Sequence, residues 1–178
     1  ADIVGLAALL EKQNPAPFAS CVRVPELGLE VASASPELFL QRNGNSISSG
    51  PIKGTGKTAG DLSEKDEAEN VMIVDLVRND LGQICVPGSV AVPSLLRTEQ
   101  HPTVVHLVST VSGTLADSPT WPQIFGATFP PGGGTGAPKD TALKLIADLE
   151  PVQRGPYCGA IGVVDADADA ATLAVGIR

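Results

Sequence analysis

Val31-Ala-Ser-Ala-Ser-Pro-Glu-Leu-Phe-Leu40, running through a short polar turn into Ser49-Gly-Pro-Ile-Lys-Gly-Thr55, frames the rest of the chain. It reads as two strand ends joined by a hairpin-like turn at Asn43-Gly-Asn45. That pairing sets one carboxylate, Glu37, beside one amine, Lys53. A carboxyl group and a lysine brought together at a dry site form an acid/base and nucleophile pair. Gly50 and Pro51 precede the lysine and Gly54 follows it, so the backbone is bent and thinly covered where a ligand could approach. A lysine attacks only as the uncharged amine, which needs partial burial or a neighbouring cation. The plainer alternative is a solvated turn lysine.

The same residues, Gly50-Pro-Ile-Lys-Gly-Thr-Gly-Lys57-Thr58, also suggest a phosphate-binding P-loop, G-x-x-x-x-G-K-[ST]. Five residues rather than four separate Gly50 from Gly56, and Ala-Gly-Asp-Leu after Thr58 does not continue as a helix. The nucleotide-binding reading is therefore rejected.

At 178 residues the chain is one ordinary domain with enough length for a real core. With 43% hydrophobic and 18% charged residues it fits neither a disordered nor a membrane protein. No apolar run approaches a membrane span and no leader opens the chain, so the expected location is the cytoplasm. A formal net charge of −8, with no basic patch, argues against nucleic acid and anionic membrane as partners. Cys21, Cys85 and Cys158 are widely spaced, which suits a reducing compartment and gives no zinc signal.

Periodicity predicts a helix over 2–12, strands over 18–24 and 29–34, and a long helix from Leu62 to Asp80 with Ala68, Met72, Ile73, Leu76 and Val77 on its apolar face. Glu69 leans toward that face, and is read either as a solvated helix partner or as a metal ligand. Loose strands follow over 84–93, then a strongly β-prone run over 104–111 with His106 at its centre. A helix over 120–125 is expected to be capped by Ser118 with Pro119 in first position. Phe129-Pro-Pro-Gly-Gly-Gly-Thr-Gly-Ala-Pro-Lys139 then empties into a helix over 140–149, a place where backbone N–H groups can cradle an anion, or simply a turn. Arg154-Gly-Pro-Tyr157 leads to a strand, and a final strand is expected over 172–178.

Taken together, Ser33-Ala-Ser-Pro-Glu37, Pro51-Ile-Lys-Gly-Thr55, Glu69-Asn-Val-Met-Ile-Val-Asp-Leu-Val-Arg-Asn-Asp80, His106-Leu-Val-Ser109, Thr135-Gly-Ala-Pro-Lys139 and Arg154-Gly-Pro-Tyr157 resemble the signatures of the chorismate-utilising enzymes, in that family's order. The family includes anthranilate synthase component I, aminodeoxychorismate synthase component I, and the isochorismate and salicylate synthases. The resemblance implies an α+β fold of two packed, mostly antiparallel sheets flanked by helices, with the active site in a cleft between them. Lys53 discriminates within the family, because anthranilate synthases typically carry P-I-A-G-T where aminodeoxychorismate synthases often carry P-I-K-G-T.

The resemblance further implies that Lys53 attacks C2 of chorismate while Glu37 protonates the departing C4 hydroxyl, and that ammonia enters at C4. The product would be 4-amino-4-deoxychorismate, toward 4-aminobenzoate and folate. A glutamine amidotransferase subunit or fused domain would supply the ammonia. Glu69 matches a magnesium (Mg2+) ligand; Thr135, Gly136, Ala137, Tyr157 and Arg178 match positions that hold carboxylates; His106 matches a substrate-lining histidine, while Ser109 and Thr110 read as strand packing.

Gly50 departs from the arginine of many relatives, and the segment 56–66 is shorter than in many of them. The family's second magnesium glutamate and the amino-terminal half of its domain have no counterpart in residues 1–178, which are expected to form a partial chorismate-binding catalytic domain with exposed apolar surface. The alternatives are an anthranilate synthase that tolerates lysine, and a fragment that binds chorismate-like anions or a partner without turnover.

Overall fold

A computed structural model describes residues 2–178. Helix α1 (Ile3–Gln13) is capped by Asp2, whose Oδ1 accepts from Gly5 N at 3.0 Å, and it packs on an antiparallel ribbon of β1 (Phe18–Val24) and β2 (Leu29–Ser35). Gly28, at φ 61°, supplies the left-handed step that returns the ribbon. β2 then runs through Pro36 and Glu37 into the main sheet.

That sheet has seven antiparallel strands. β3 (Leu38–Asn43) turns through Gly44 and Asn45 into β4 (Ser46–Gly50), and β5 (Ile52–Gly56) follows after Pro51. Both β4 and β5 pair with β7 (Val105–Thr114): Ile47 lies opposite Gly113 and Thr55 opposite His106. Since β6 (Ala91–Gln100) pairs with the same β7 residues, β4 and β5 share one of its edges and β6 takes the other. β9 (Ala170–Val175) lies beside β3, and β8 (Ala160–Asp165) forms the far edge. The hairpin expected at Asn43-Gly-Asn45 is therefore present, with Glu37 just before β3 and Lys53 inside β5.

Helix α2 (Glu64–Gly82) packs across β5, β6 and β7 and meets α3 (Trp121–Thr128), while α4 (Lys139–Leu149) buries none of its residues fully. Leu81, Ile124, Val111, Ile47, Phe39 and Leu173 interlock as the core. Each such side chain removed from water is worth about 1.5–3 kcal/mol. The class is α+β with antiparallel sheets and flanking helices, four helices and nine strands among the described residues. The two sheets are unequal, seven strands against two. No helix among these residues is long and apolar enough to cross a membrane.

Five expectations are corrected. α2 begins at Glu64, two residues later than Leu62, because Ser63 and Asp66 form a reciprocal capping box. Its buried stripe is Asn70, Ile73, Val74 and Leu81, whereas Ala68 and Met72 face outward, since the stripe is set by where β5 and β7 pass beneath the helix. Ser118 does not cap α3; Thr120 does, in a capping box with Gln123, and Pro122 lies in the first turn. Of the loose strands over 84–93, the first part reduces to a bridge between Cys85 and Leu115, while 91–93 open β6, which reaches Gln100.

The last strand ends at Val175 rather than continuing to Arg178. The tail leaves the ladder and turns to β2, where Arg178 O accepts from Ala34 N and Ser33 Oγ, each at 3.0 Å.

Candidate active site

Glu37 and Lys53 line one cleft of about 230 Å³, together with Thr55, Gly133, Gly134 and Arg178. Glu37 is 8% exposed. Burial pushes its carboxyl up to about 7, against the opposing pull of the Ile52 backbone amide, Lys53 and Arg178. A carboxyl held there keeps a share of its proton at neutral pH, as a general acid must.

Lys53 Nζ donates to Gly133 O at 3.2 Å. A methyl group on Gly133 would stand 3.1 Å from Glu37 Oε1, so the glycine backbone lies directly against the acid as it holds the amine. The run Gly132-Gly-Gly134 forms a short 3-10 turn, with Leu76 of α2 packed so closely on Gly132 that a side chain there would overlap it.

His106 is 1% exposed and borders a neighbouring cleft, where Arg178 is again a wall. Its Nδ1 lies 2.9 Å from Thr55 Oγ1, which links it to the Glu37–Lys53 cleft. Its ring stands edge-on to His101 at 5.0 Å between centroids. Burial first, and then Arg178 and His101, lower its pKa below the usual histidine value, so the ring is neutral at pH 7.

Glu37, Lys53 and Arg178 are thus brought together, with His106 one hydrogen bond away. The rest of the expected set lies elsewhere. Thr135, Gly136 and Ala137 do not line the cleft; Thr135 Oγ1 turns back to Pro131 O at 3.4 Å and Gly136 N to Gly132 O at 3.1 Å. From this run it is Gly133 and Gly134, two places earlier, that line the cleft, together with Gly54 beside Lys53. Tyr157 is 60% exposed and also outside the lining.

Glu69 lies half-exposed on α2, 3.5 Å from Lys65 Nζ. Among the described residues no three His, Cys, Asp or Glu side chains gather as a metal-holding group. Mg2+ takes six oxygens near 2.0–2.1 Å in an octahedron. One carboxylate shared with a lysine does not supply that set, so these residues alone do not fit a magnesium site.

Two polar networks behind the cleft escape a reading of motifs. Ser109 Oγ donates to Asn70 Oδ1 at 2.6 Å and accepts from Leu96 N at 2.9 Å, while Asn70 Nδ2 donates to Leu107 O at 2.9 Å. Ser109 is thus strand packing of a specific kind, tying α2, β6 and β7. Lys139 Nζ donates to Asp80 Oδ2 at 2.6 Å and to Thr128 O at 3.2 Å, which fixes the start of α4 to α2 and α3. A polar residue at a helix's buried position, as Asn70 and Asp80 are, was the available signal.

A buried acid and a turn-held amine at adjoining strand ends of an antiparallel sheet are groups that can transfer a proton and attack a small molecule. The comparisons narrow that chemistry. The model of the family described as chorismate binding enzyme matches residues 2–178, and the chain belongs to that family.

Anthranilate synthase component 1 of Saccharolobus solfataricus is 41% identical over 181 residues, covering 95% of this chain and 42% of its own length. Aminodeoxychorismate synthase component 1 of Salmonella typhimurium is 44% identical over 165 residues, covering 86% of this chain and 36% of its own. The crystal structure of anthranilate synthase component I from Streptococcus pneumoniae TIGR4 superposes with a TM-score of 0.85 at 33% identity, covering 98% of this chain and 40% of that one. The chain therefore spans less than half the length of each of these relatives.

Proposed function

We propose that this chain carries the reacting groups of an aminodeoxychorismate synthase, which aminates chorismate to 4-amino-4-deoxychorismate. The observation that carries the reading is the meeting of Lys53 and the buried Glu37 across Gly133, with burial raising the Glu37 carboxyl to about 7. In the first step the uncharged Lys53 amine attacks C2, the diene electrons shift, and the C4–O bond breaks as Glu37 delivers its proton, so that water leaves. In the second step ammonia attacks C4, the electrons shift back, and the C2–N bond to Lys53 breaks. The proton released by ammonia returns the site to its starting charge.

Arg178 supports the reading as a cation for a substrate carboxylate, and neutral His106 as a lining group that can accept or donate a hydrogen bond without adding charge. Ammonia would come from a glutamine amidotransferase subunit or fused domain. Magnesium enters the proposal through Glu69 alone, so its other oxygens would come from substrate, water or groups outside these residues.

The similar identity to a relative named anthranilate synthase favours a second reading, in which pyruvate is released and an aromatic product forms. Incubation with chorismate, ammonium and Mg2+, with products followed by mass and pyruvate by a coupled assay, separates the two. Aminodeoxychorismate without pyruvate is the expected result in the parent protein; anthranilate with stoichiometric pyruvate would replace the first reading by the second. Binding of chorismate with no turnover would favour the non-catalytic alternative.

A further inference from the structure

Arg154 lies beyond α4 and is not part of the cleft lining. Its guanidinium is forked onto Glu150: Nε donates to Oε2 at 2.8 Å and Nη2 donates to Oε1. The fork leaves Nη1 free to donate to Gly134 O at 2.9 Å. The carbonyl one residue earlier, Gly133 O, accepts from Lys53 Nζ. Two consecutive peptide carbonyls are therefore each held by a basic side chain's N–H, one of them that of the candidate reacting amine.

Leu76 confines Gly132 and Cys158 confines Gly134 at the α-carbons. Each of the two peptides is also held on its amide side, Gly134 N donating to Pro131 O at 3.1 Å and Thr135 N to Gly132 O at 3.3 Å, and Arg154 and Lys53 add the hold on the carbonyl side. Adjacent peptide planes share an α-carbon, so rotation of the unit that carries Gly134 O alters the direction available to Gly133 O. A guanidinium pre-oriented by a two-point carboxylate contact is well suited to hold such a carbonyl in one direction.

We propose that Arg154 is a positioning residue of this cleft, which holds Gly134 O against the Glu150 fork, fixes Gly133 O, and so sets where Lys53 Nζ rests beside Glu37. The inference rests on the reading of Lys53 as the reacting amine, and its test needs no turnover. Trace labelling with acetic anhydride reports the reactivity of Lys53 against the exposed Lys12 and Lys144 of the same molecule.

In Arg154→Ala the Gly133 carbonyl loosens its hold on the amine, and Lys53 labelling relative to those references is expected to rise about threefold or more, the effect of one weakened hydrogen bond. Glu150→Gln, which keeps a single acceptor for the fork, should give a smaller rise, with melting temperature unchanged. If Arg154→Ala does not fold, Glu150→Gln alone decides. An unchanged Lys53 ratio in the folded variants would overturn the proposal. If Lys53→Ala keeps full turnover, the functional reading fails separately, because the labelling ratio still reports whether Arg154 governs the amine.

Discussion

Lys53 and Gly133, 80 residues apart in the chain, are joined by a 3.2 Å hydrogen bond from Nζ to the peptide carbonyl. The same glycine lies against Glu37. A strand end, a glycine turn and a buried acid thus meet at one backbone position, and the chemistry available to the cleft follows from that meeting.

Gly133→Ala tests it sterically. The added methyl would stand 3.1 Å from Glu37 Oε1, closer than ordinary contact, so the carboxyl must shift by a few tenths of an ångström. Displacement of an acid from its line of proton delivery is expected to lower kcat for chorismate amination by up to about 10-fold, since misplacement of a full 1 Å can cost about 100-fold. Melting temperature and kcat, measured side by side, should separate: activity falls far more than stability.

Glu37 gives a pH signature. Below about 4.5 its carboxyl is neutral whether the chain is folded or unfolded. Between there and about 7 the folded state keeps a proton that the unfolded state has lost, so stability falls as pH rises through this window and levels off above it. The full span is at most about 3 kcal/mol. Glu37→Gln should flatten that window in urea unfolding curves taken from pH 4 to pH 8, while reducing kcat by about 10²- to 10⁴-fold through loss of the acid. In the parent enzyme kcat/KM should fall as pH rises past about 7, when the proton to be delivered is gone.

Ser109→Ala addresses the scaffold. β6 shifts register between Ser94 and Arg97, with Leu96 at φ 55°, and its displaced amide is taken by Ser109 Oγ. Removal of the hydroxyl leaves Leu96 N–H and Asn70 Oδ1 without this partner in a buried place. A loss of about 1–3 kcal/mol is expected in chemical denaturation.

Much of the frame was legible because its signals are local. The two-residue turn at Gly44 and Asn45 sets the β3–β4 register near the hairpin end, and after a register shift between Gln41 and Leu38 the pairing of Leu38 with Gly50 brings Glu37 toward the start of β5, where Lys53 lies. Long-range choices were not legible. Nothing near Met72 says that β5 and β7 pass under Asn70 and Ile73 instead, and nothing in the glycine run says that Gly133 rather than Thr135 will face the cleft. Capping depended on which nearby polar side chain could reciprocate: Thr120 has Gln123 three residues on, whereas Ser118 sits in a left-handed turn at φ 46°. The Lys139–Asp80 pair joins residues 59 apart and had no sequence signal beyond a charge at a buried helix position.

The covalent role of Lys53 is the centre of the functional reading, and intact-protein mass spectrometry reaches it most directly. The parent protein would be mixed with chorismate and Mg2+ in the absence of ammonia, then quenched and weighed, with Lys53→Ala alongside. The predicted result is a mass increase of one chorismate less one water, mapped to the peptide carrying Lys53, lost in Lys53→Ala and discharged when ammonium is added. Continued amination by Lys53→Ala at the unsubstituted rate, or an adduct on another residue, would contradict it.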